Sequence, residues 1–351
     1  MRAIVMLMAL VPFLPPAAAA DTGRLAEMLR MIPDAAVPPD APLLGIAYGN
    51  GDAVRGVARN GNPAWPADDW AHEHAAMRAA PPAQAQALAA GGGEALALGY
   101  RDWVHALEVS APPVRMGVHE LFPDSEMRLR GALFGRGLEV SARDGRTLFW
   151  EGDADHEAQP GRSDPTMPFG GAEGLALRVS VEGDRALWAT GWPQIEAMQG
   201  GGGPTLADRP EVAQALAGLE AAVRRYGRLV SLRLRLDPAG AGLGGWPDPA
   251  PTGVFFADVV DRRAEVALVG LTFRPGTDAR AIAERIGQRW GGSMLARWSR
   301  EPAILDLPGP RPGFVLAVEG GWGEDEAASN EALAALVRAR DNGTLAALIA
   351  P

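Results

Sequence analysis

No cysteine occurs in the 351 residues of this chain, so its fold has to be held by packing and hydrogen bonding alone. Disulfides, thiol nucleophiles, cysteine-ligated zinc, iron–sulfur clusters and a lipid-modified cysteine anchor are excluded together. Lysine is absent too, and all 33 basic side chains are arginine. That removes a Schiff-base lysine, a phosphate-loop lysine and a Ser-x-x-Lys nucleophile pair. At 47% hydrophobic and 22% charged, the composition is that of a globular protein long enough for one large domain or two ordinary ones. The net charge of -10 speaks against nucleic acid or anionic lipid as partner, because both select clustered cations.

The first twenty residues read as a secretory signal: Arg2, an apolar run from Ala3 to Leu14, and small residues at Ala18, Ala19 and Ala20 before Asp21. Cleavage after Ala20 is expected, with a soluble mature chain in the periplasm or secreted. No later apolar run reaches about 18 residues, so no transmembrane anchor is expected in the mature chain.

Periodicity organises the rest. Leu25, Met28, Leu29 and Ile32 share one helical face and stop at Pro33. Leu43 to Tyr48 reads as a strand closed by a turn at Gly49, Asn50 and Gly51, and two Ala-rich helices follow, ending near Ala80 and Gly91. From Val114 a strand, a helix opened by Pro123 and Asp124, and a hairpin across Asp144-Gly145 form a β-α-β-β unit. Leu175, Leu177, Val179 and Val181 alternate with Arg178 and Ser180, which predicts a sheet with one wet face; a strand over Ala186 to Thr190 and a helix at Pro193 follow. Later, Val266 to Phe273, a helix capped within "PGTD" at Pro275 to Asp278, and short strands at Met294 to Trp298 and Ala303 to Leu307 repeat that order. Phe314 to Val318 and a helix over Ser329 to Arg340 complete it. The expectation is an α+β fold of two similar units, residues 21–203 and 204–351 after a signal peptide at 1–20, each an antiparallel sheet with helices on one face. Gly200 to Gly203 is the joint.

The stretches "GYRDWVHALEVSAPPVRMGVHELF" (Gly99 to Phe122), "LFGRGLEVSARDGRTLFWEGD" (Leu133 to Asp153) and "TLADRPEVAQAL" (Thr205 to Leu216) resemble a secreted bacterial family of unknown biochemical function. The resemblance spans roughly residues 99–153 and 205–216. It implies the strand, helix, hairpin and helix-cap order, and brings no catalytic residue with it.

Candidate chemistry is thin. "DDWAHEH" places Asp68 and His72 on one helical face but turns His74 away, so His72, His74 and Asp68 make a weak metal set and no metal is expected. His119 beside Glu120, at a strand end, suits a general acid or base if another carboxylate approaches. "GDADHE" at Gly152 to Glu157 lacks the spacing of a calcium loop, and neither Ser163 nor Ser293 sits in Gly-x-Ser-x-Gly. Trp65, Trp192 and Trp246 each precede proline, which holds them extended at element ends, as core staples or as an aromatic platform. Arg233 and Arg235 project from one side of the strand Val230 to Leu236 and suit an anionic ligand or neighbouring carboxylates. The chain therefore reads as a non-enzymatic binding or interaction module of the cell envelope, without a cofactor, for a small molecule or an envelope protein. Arg233, Arg235, Trp192 and Trp246 are the candidate ligand contacts. The alternatives are a carboxylate/histidine hydrolase using His72, His119 and Asp68, or a structural assembly partner.

Overall fold

The computed structural model describes residues 17–59, 76–91, 98–99, 101–143, 145–237, 239–240, 242–261, 264–297, 299, 301–320 and 330–351. In chain order these form α1 (Ala17–Arg30), β1 (Leu44–Asn50), α2 (Gly51–Arg59), α3 (Pro82–Ala89), β2 (Trp103–Ala111) and β3 (Val114–Leu121). Then come α4 (Ser125–Gly135), β4 (Glu139–Arg143), β5 (Arg146–Glu151), β6 (Leu177–Glu182), β7 (Arg185–Ala189) and α5 (Trp192–Gly200). The second half holds α6 (Pro210–Tyr226), β8 (Arg228–Leu236), β9 (Gly253–Val260), β10 (Glu265–Thr272), α7 (Ala279–Trp290), β11 (Ala303–Asp306), β12 (Gly313–Gly320), α8 (Glu331–Asp341) and α9 (Thr344–Ile349).

All twelve strands belong to one antiparallel sheet in the order β11-β12-β10-β9-β8-β1-β2-β3-β7-β6-β5-β4. The α+β class is as the periodicity leads one to expect, and the strands of 21–203 and 204–351 lie side by side in that sheet. The seam is the pair β1 and β8, with Leu44 opposite Leu236 and Gly49 opposite Ser231. On each side of it a three-strand meander leads to a helix and then to returning strands, the last of which pairs with the third strand: β7 with β3, and β12 with β10. The first half adds a hairpin and the segment between β1 and β2.

Alternation along β8 fixes what lies on either face. Leu232, Leu234 and Leu236 are buried with Ile46 and Tyr48 of β1 against Leu25, Leu29, Leu219 and Val223 of α1 and α6. Arg233 and Arg235 point to the opposite face. There α2 and α3 cover one stretch, α4 the sheet beyond β3, and α7, α8 and α9 the β9, β10 and β12 end. Helices thus occupy both faces, not one, because β9 and β10 are buried along their whole length and β6 over all but its last residue.

Local signals explain several helix starts. The Asp278 side chain accepts from the Ala281 amide at 2.9 Å, and Asn330 from Leu333 at 2.9 Å. Thr205 and Asp208 form a reciprocal capping box ahead of α6, whose first residue is Pro210. The glycine joint leads from α5 to this cap through left-handed Gly201, Gly202 and Gly203, with φ of 61°, 101° and 77°.

Three local expectations change. The turn foreseen at Gly49 to Gly51 is the passage from β1 into α2, capped by the Asn50 side chain on the Ala53 amide at 2.9 Å. Met294 to Arg297 is a 3-10 turn, not a strand, with Leu295 buried under α7 and α8. The wet face foreseen on β6 is dry: Arg178 and Ser180 are fully buried. Helix α5 packs across that face, and Gln199 donates to Ser180 at 3.0 Å. Among the described residues, no helix is long and apolar enough to cross a membrane.

Candidate functional site

The seam strands carry the site. On the face away from α1 and α6, two rows run across the sheet: Ser110, Gly45, Arg235 and Val254, and beside it Glu108, Ala47, Arg233 and Phe256. Small side chains on β1 thus lie between a polar edge and two arginines. At the Gly45 end of the seam the helices on this face stop short, with Pro82 at the start of α3 on one side and Arg340, Asp341 and Ala346 of α8 and α9 on the other, while α2 covers the opposite end. The gap is a groove of about 570 Å³ whose rim includes Leu43, Leu243 and Trp246.

Two glycines of β1 show why the groove is open only at one end. A methyl on Gly49 would strike the carbonyl of Ala79, so that glycine lets the segment before α3 press onto the sheet. A methyl on Gly45 would meet only Ser110, at 3.6 and 3.7 Å, which is ordinary contact. Space above Gly45 is therefore not demanded by the packing of the fold.

Most charges around the groove are already paired. Glu108 accepts from Arg115 at 2.5 Å and from the Ala83 amide at the start of α3 at 3.1 Å, while Arg115 also reaches Glu173 at 2.6 Å. Burial works against the charge on Arg115, but these two carboxylates outweigh it and leave its pKa raised. Arg340 binds its neighbour Asp341 at 2.6 Å and lies over the Phe256 ring at 5.3 Å. Arg233 and Arg235 differ: neither has a hydrogen bond or an ion pair among the described residues. Burial first and then the nearby Arg340 guanidinium push the Arg233 pKa below the ordinary arginine value, against a weaker opposing pull from Glu108. A negative group in the groove would relieve that repulsion.

Of the sequence candidates, Arg233, Arg235 and Trp246 meet here. Trp192 does not. It opens α5 on the other face, against Trp150, with the Arg143 and Arg178 guanidinium groups 3.9 and 4.8 Å from its ring centre. Asp155 accepts from its backbone amide at 3.0 Å, so Trp192 acts as a staple for α5. Asp68, His72, His74 and Trp65 lie outside the described residues. His119 is buried against Phe169, neither ring nitrogen has a hydrogen-bond partner, and burial lowers its pKa to about 3. Glu120 points to the opposite face and is held by Arg24 at 2.7 Å, so the two do not form an acid–base pair. The histidine that does meet polar partners is His105, whose Nδ1 lies 2.9 Å from the Tyr48 hydroxyl and whose Nε2 lies 3.9 Å from Glu120. Burial and the neighbouring Arg24 lower its pKa to about 4, and burial raises that of Tyr48, so both stay neutral near pH 7. Among the described residues no group of three or more histidines and carboxylates is placed to hold a metal ion.

Sequence reasoning missed Glu108, Ser110, Arg115, Arg340 and the loop residue Leu243. The available signal was the small stripe Gly45, Ala47 and Gly49 alternating with Leu44, Ile46 and Tyr48, which marks a strand with one face of large apolar side chains and one of small residues that lets backbone or a ligand approach.

No protein-family model matches the chain, and no curated protein does. Solved structures of TP0453 align with this chain at low similarity. Its crystal form I aligns with a TM-score of 0.40 at 9% identity, covering 88% of this chain and 96% of that one, and crystal form IV with a TM-score of 0.41 at 9% identity, covering 86% and 96%. The likeness is too distant to carry function.

Proposed function

We propose that this chain is an exported, non-enzymatic binding module of the periplasm or the secreted fraction, and that its ligand is a small anion held in the groove at the seam. One observation carries this reading: two arginines on adjacent same-face positions of β8 face an open groove and, among the described residues, neither is hydrogen-bonded or ion-paired to a carboxylate, Glu108 attracting Arg233 only from a distance. In a chain with 43 acidic side chains against 33 basic ones, leaving two guanidinium groups unpaired at the sheet centre is unexpected for a purely structural surface. We read the two halves as copies of one α+β unit, which puts the ligand where the copies meet, a common place for a site. The hydrolase alternative draws no support from His119, which is enclosed and has no carboxylate beside it.

The test is a thermal shift of the mature chain with a panel of organic anions and their neutral analogues at pH 7. A true ligand at 100 times its Kd adds about 2.7 kcal/mol of stability. The expected result is stabilisation by anions only, lost in the double variant Arg233→Ser/Arg235→Ser. Equal stabilisation of that variant, or none by any anion, overturns the proposal. Export is tested separately by the intact mass of protein from the envelope fraction, which should begin at Asp21.

A further inference from the structure

Resting on the reading above, we infer that the ligand is an amphiphile with a single oxyanion head and an aliphatic or aromatic body. The head lies over Arg233 and Arg235, whose Cα atoms are about 7 Å apart along the strand, close enough for both guanidinium groups to reach one carboxylate or one phosphate monoester. Charge beyond that head is disfavoured on the Arg233 side. Glu108 and Asp341 line the groove there, and the cations next to them, Arg115 and Arg340, are already engaged. A polyphosphate or a dicarboxylate would bring its second charge against those carboxylates. Toward Arg235 the lining changes character: Leu43, Leu243 and Trp246 are half-buried, with Val254 beneath them. These side chains offer apolar surface at the groove while their other sides pack on the protein, as Leu243 and Trp246 do on the cluster under α7 and α8. Gly45, with no side chain of its own, keeps the floor low between the two ends of the groove it lines, so one molecule can span from cation to apolar rim.

The experiment is equilibrium dialysis of the mature chain with octanoate, decanoate, dodecanoate, dodecyl phosphate, dodecanol and inorganic phosphate, each below its micelle concentration. Dodecanoate and dodecyl phosphate should both bind, with affinity rising up to about fourfold per added methylene until the groove is filled. Arg233→Ser/Arg235→Ser should weaken the two anions by about 10- to 100-fold and leave dodecanol unchanged. Leu243→Ser should flatten the dependence on chain length while keeping the preference for anions. Gly45→Val, whose fold is checked by its melting curve, should abolish binding by filling the groove. If inorganic phosphate or short anions bind as tightly as the long ones and still need the arginines, the amphiphile inference falls and the anion site stands. If dodecanol matches dodecanoate and the arginine variant changes nothing, both fall. Retained binding in a folded Gly45→Val protein places the site elsewhere and overturns the inference.

Discussion

Mild acid should unfold this protein through two buried histidines. In the unfolded chain a histidine titrates near 6.5. In the folded protein burial lowers His119 to about 3, and burial with Arg24 lowers His105 to about 4. Because the folded state resists a proton that the unfolded state accepts, stability is complete above pH 6.5 and declines as pH falls toward the folded values. Each site contributes about 1.4 kcal/mol per pH unit in that window, so the pair gives a slope of about 2.7 kcal/mol per unit between pH 6 and pH 4.5. A typical domain is stable by about 5–15 kcal/mol, so for a stability toward the lower end of that range such a slope brings the midpoint of acid unfolding near pH 4. Glu151 works in the opposite sense, since burial raises its pKa and proton uptake favours the folded state, and it offsets part of the slope at the acid end. The assay is urea unfolding of wild type and His119→Leu at pH 7, 6 and 5. Neither ring nitrogen of His119 has a partner, so the variant should gain about 1–3 kcal/mol at pH 7 and roughly halve the slope. A slope unchanged by the substitution, or a wild-type stability that is flat between pH 6 and 5, would refute the reasoning.

Gly117→Ala should cost several kcal/mol, about 2–4, because its methyl would collide with the Leu107 carbonyl oxygen and the Trp188 indole; a melting curve within 2 °C of wild type would contradict this. Asp258→Ala should cost about 3–5 kcal/mol, since it removes the carboxylate that holds buried Arg78 at 2.5 and 2.8 Å and the Asn330 amide at 2.8 Å. Urea midpoints measure it, and a shift under 1 kcal/mol counts against a structural role for the cluster. Thr205→Ala should cost only about 1 kcal/mol by the same measurement, through loss of the exposed capping box.

Where local chemistry decides, the elements were legible. Asp278 within "PGTD", the Thr205–Asp208 box and the alternation of β8 each specify an element from a few neighbouring residues. Long-range contact decides the rest. Arg178 and Ser180 look like a solvent face because nothing nearby in sequence shows that α5 will cover them. Strands β2 and β9 escaped notice: β9 is buried along its whole length and lacks alternation, and β2 carries His105 and Glu108 in its interior. Of the site, Arg233, Arg235 and Trp246 could be nominated from strand geometry and the Trp-Pro signal. Trp192 looked equivalent by the same signal, because a Trp-Pro pair says nothing about which side of the sheet it will meet. Glu108, Arg115 and Arg340 join the groove only through strand order and the end of α8, which no local pattern encodes.

The pairing of β1 with β8 has a kinetic consequence. Leu44 cannot meet Leu236 until nearly the entire first half and the start of the second have emerged, so the central ladder is closed late in synthesis or translocation. Until then β1 presents one unpaired edge, and the apolar side of α1 lacks α6, against which it packs. Contacts so distant along the chain slow the rate-limiting step and prolong the interval in which an exposed strand can pair with a neighbour. A holding chaperone that shields β1 during this interval would raise the yield of native protein more than one acting on the C-terminal meander, where β8, β9 and β10 follow one another directly and zip locally.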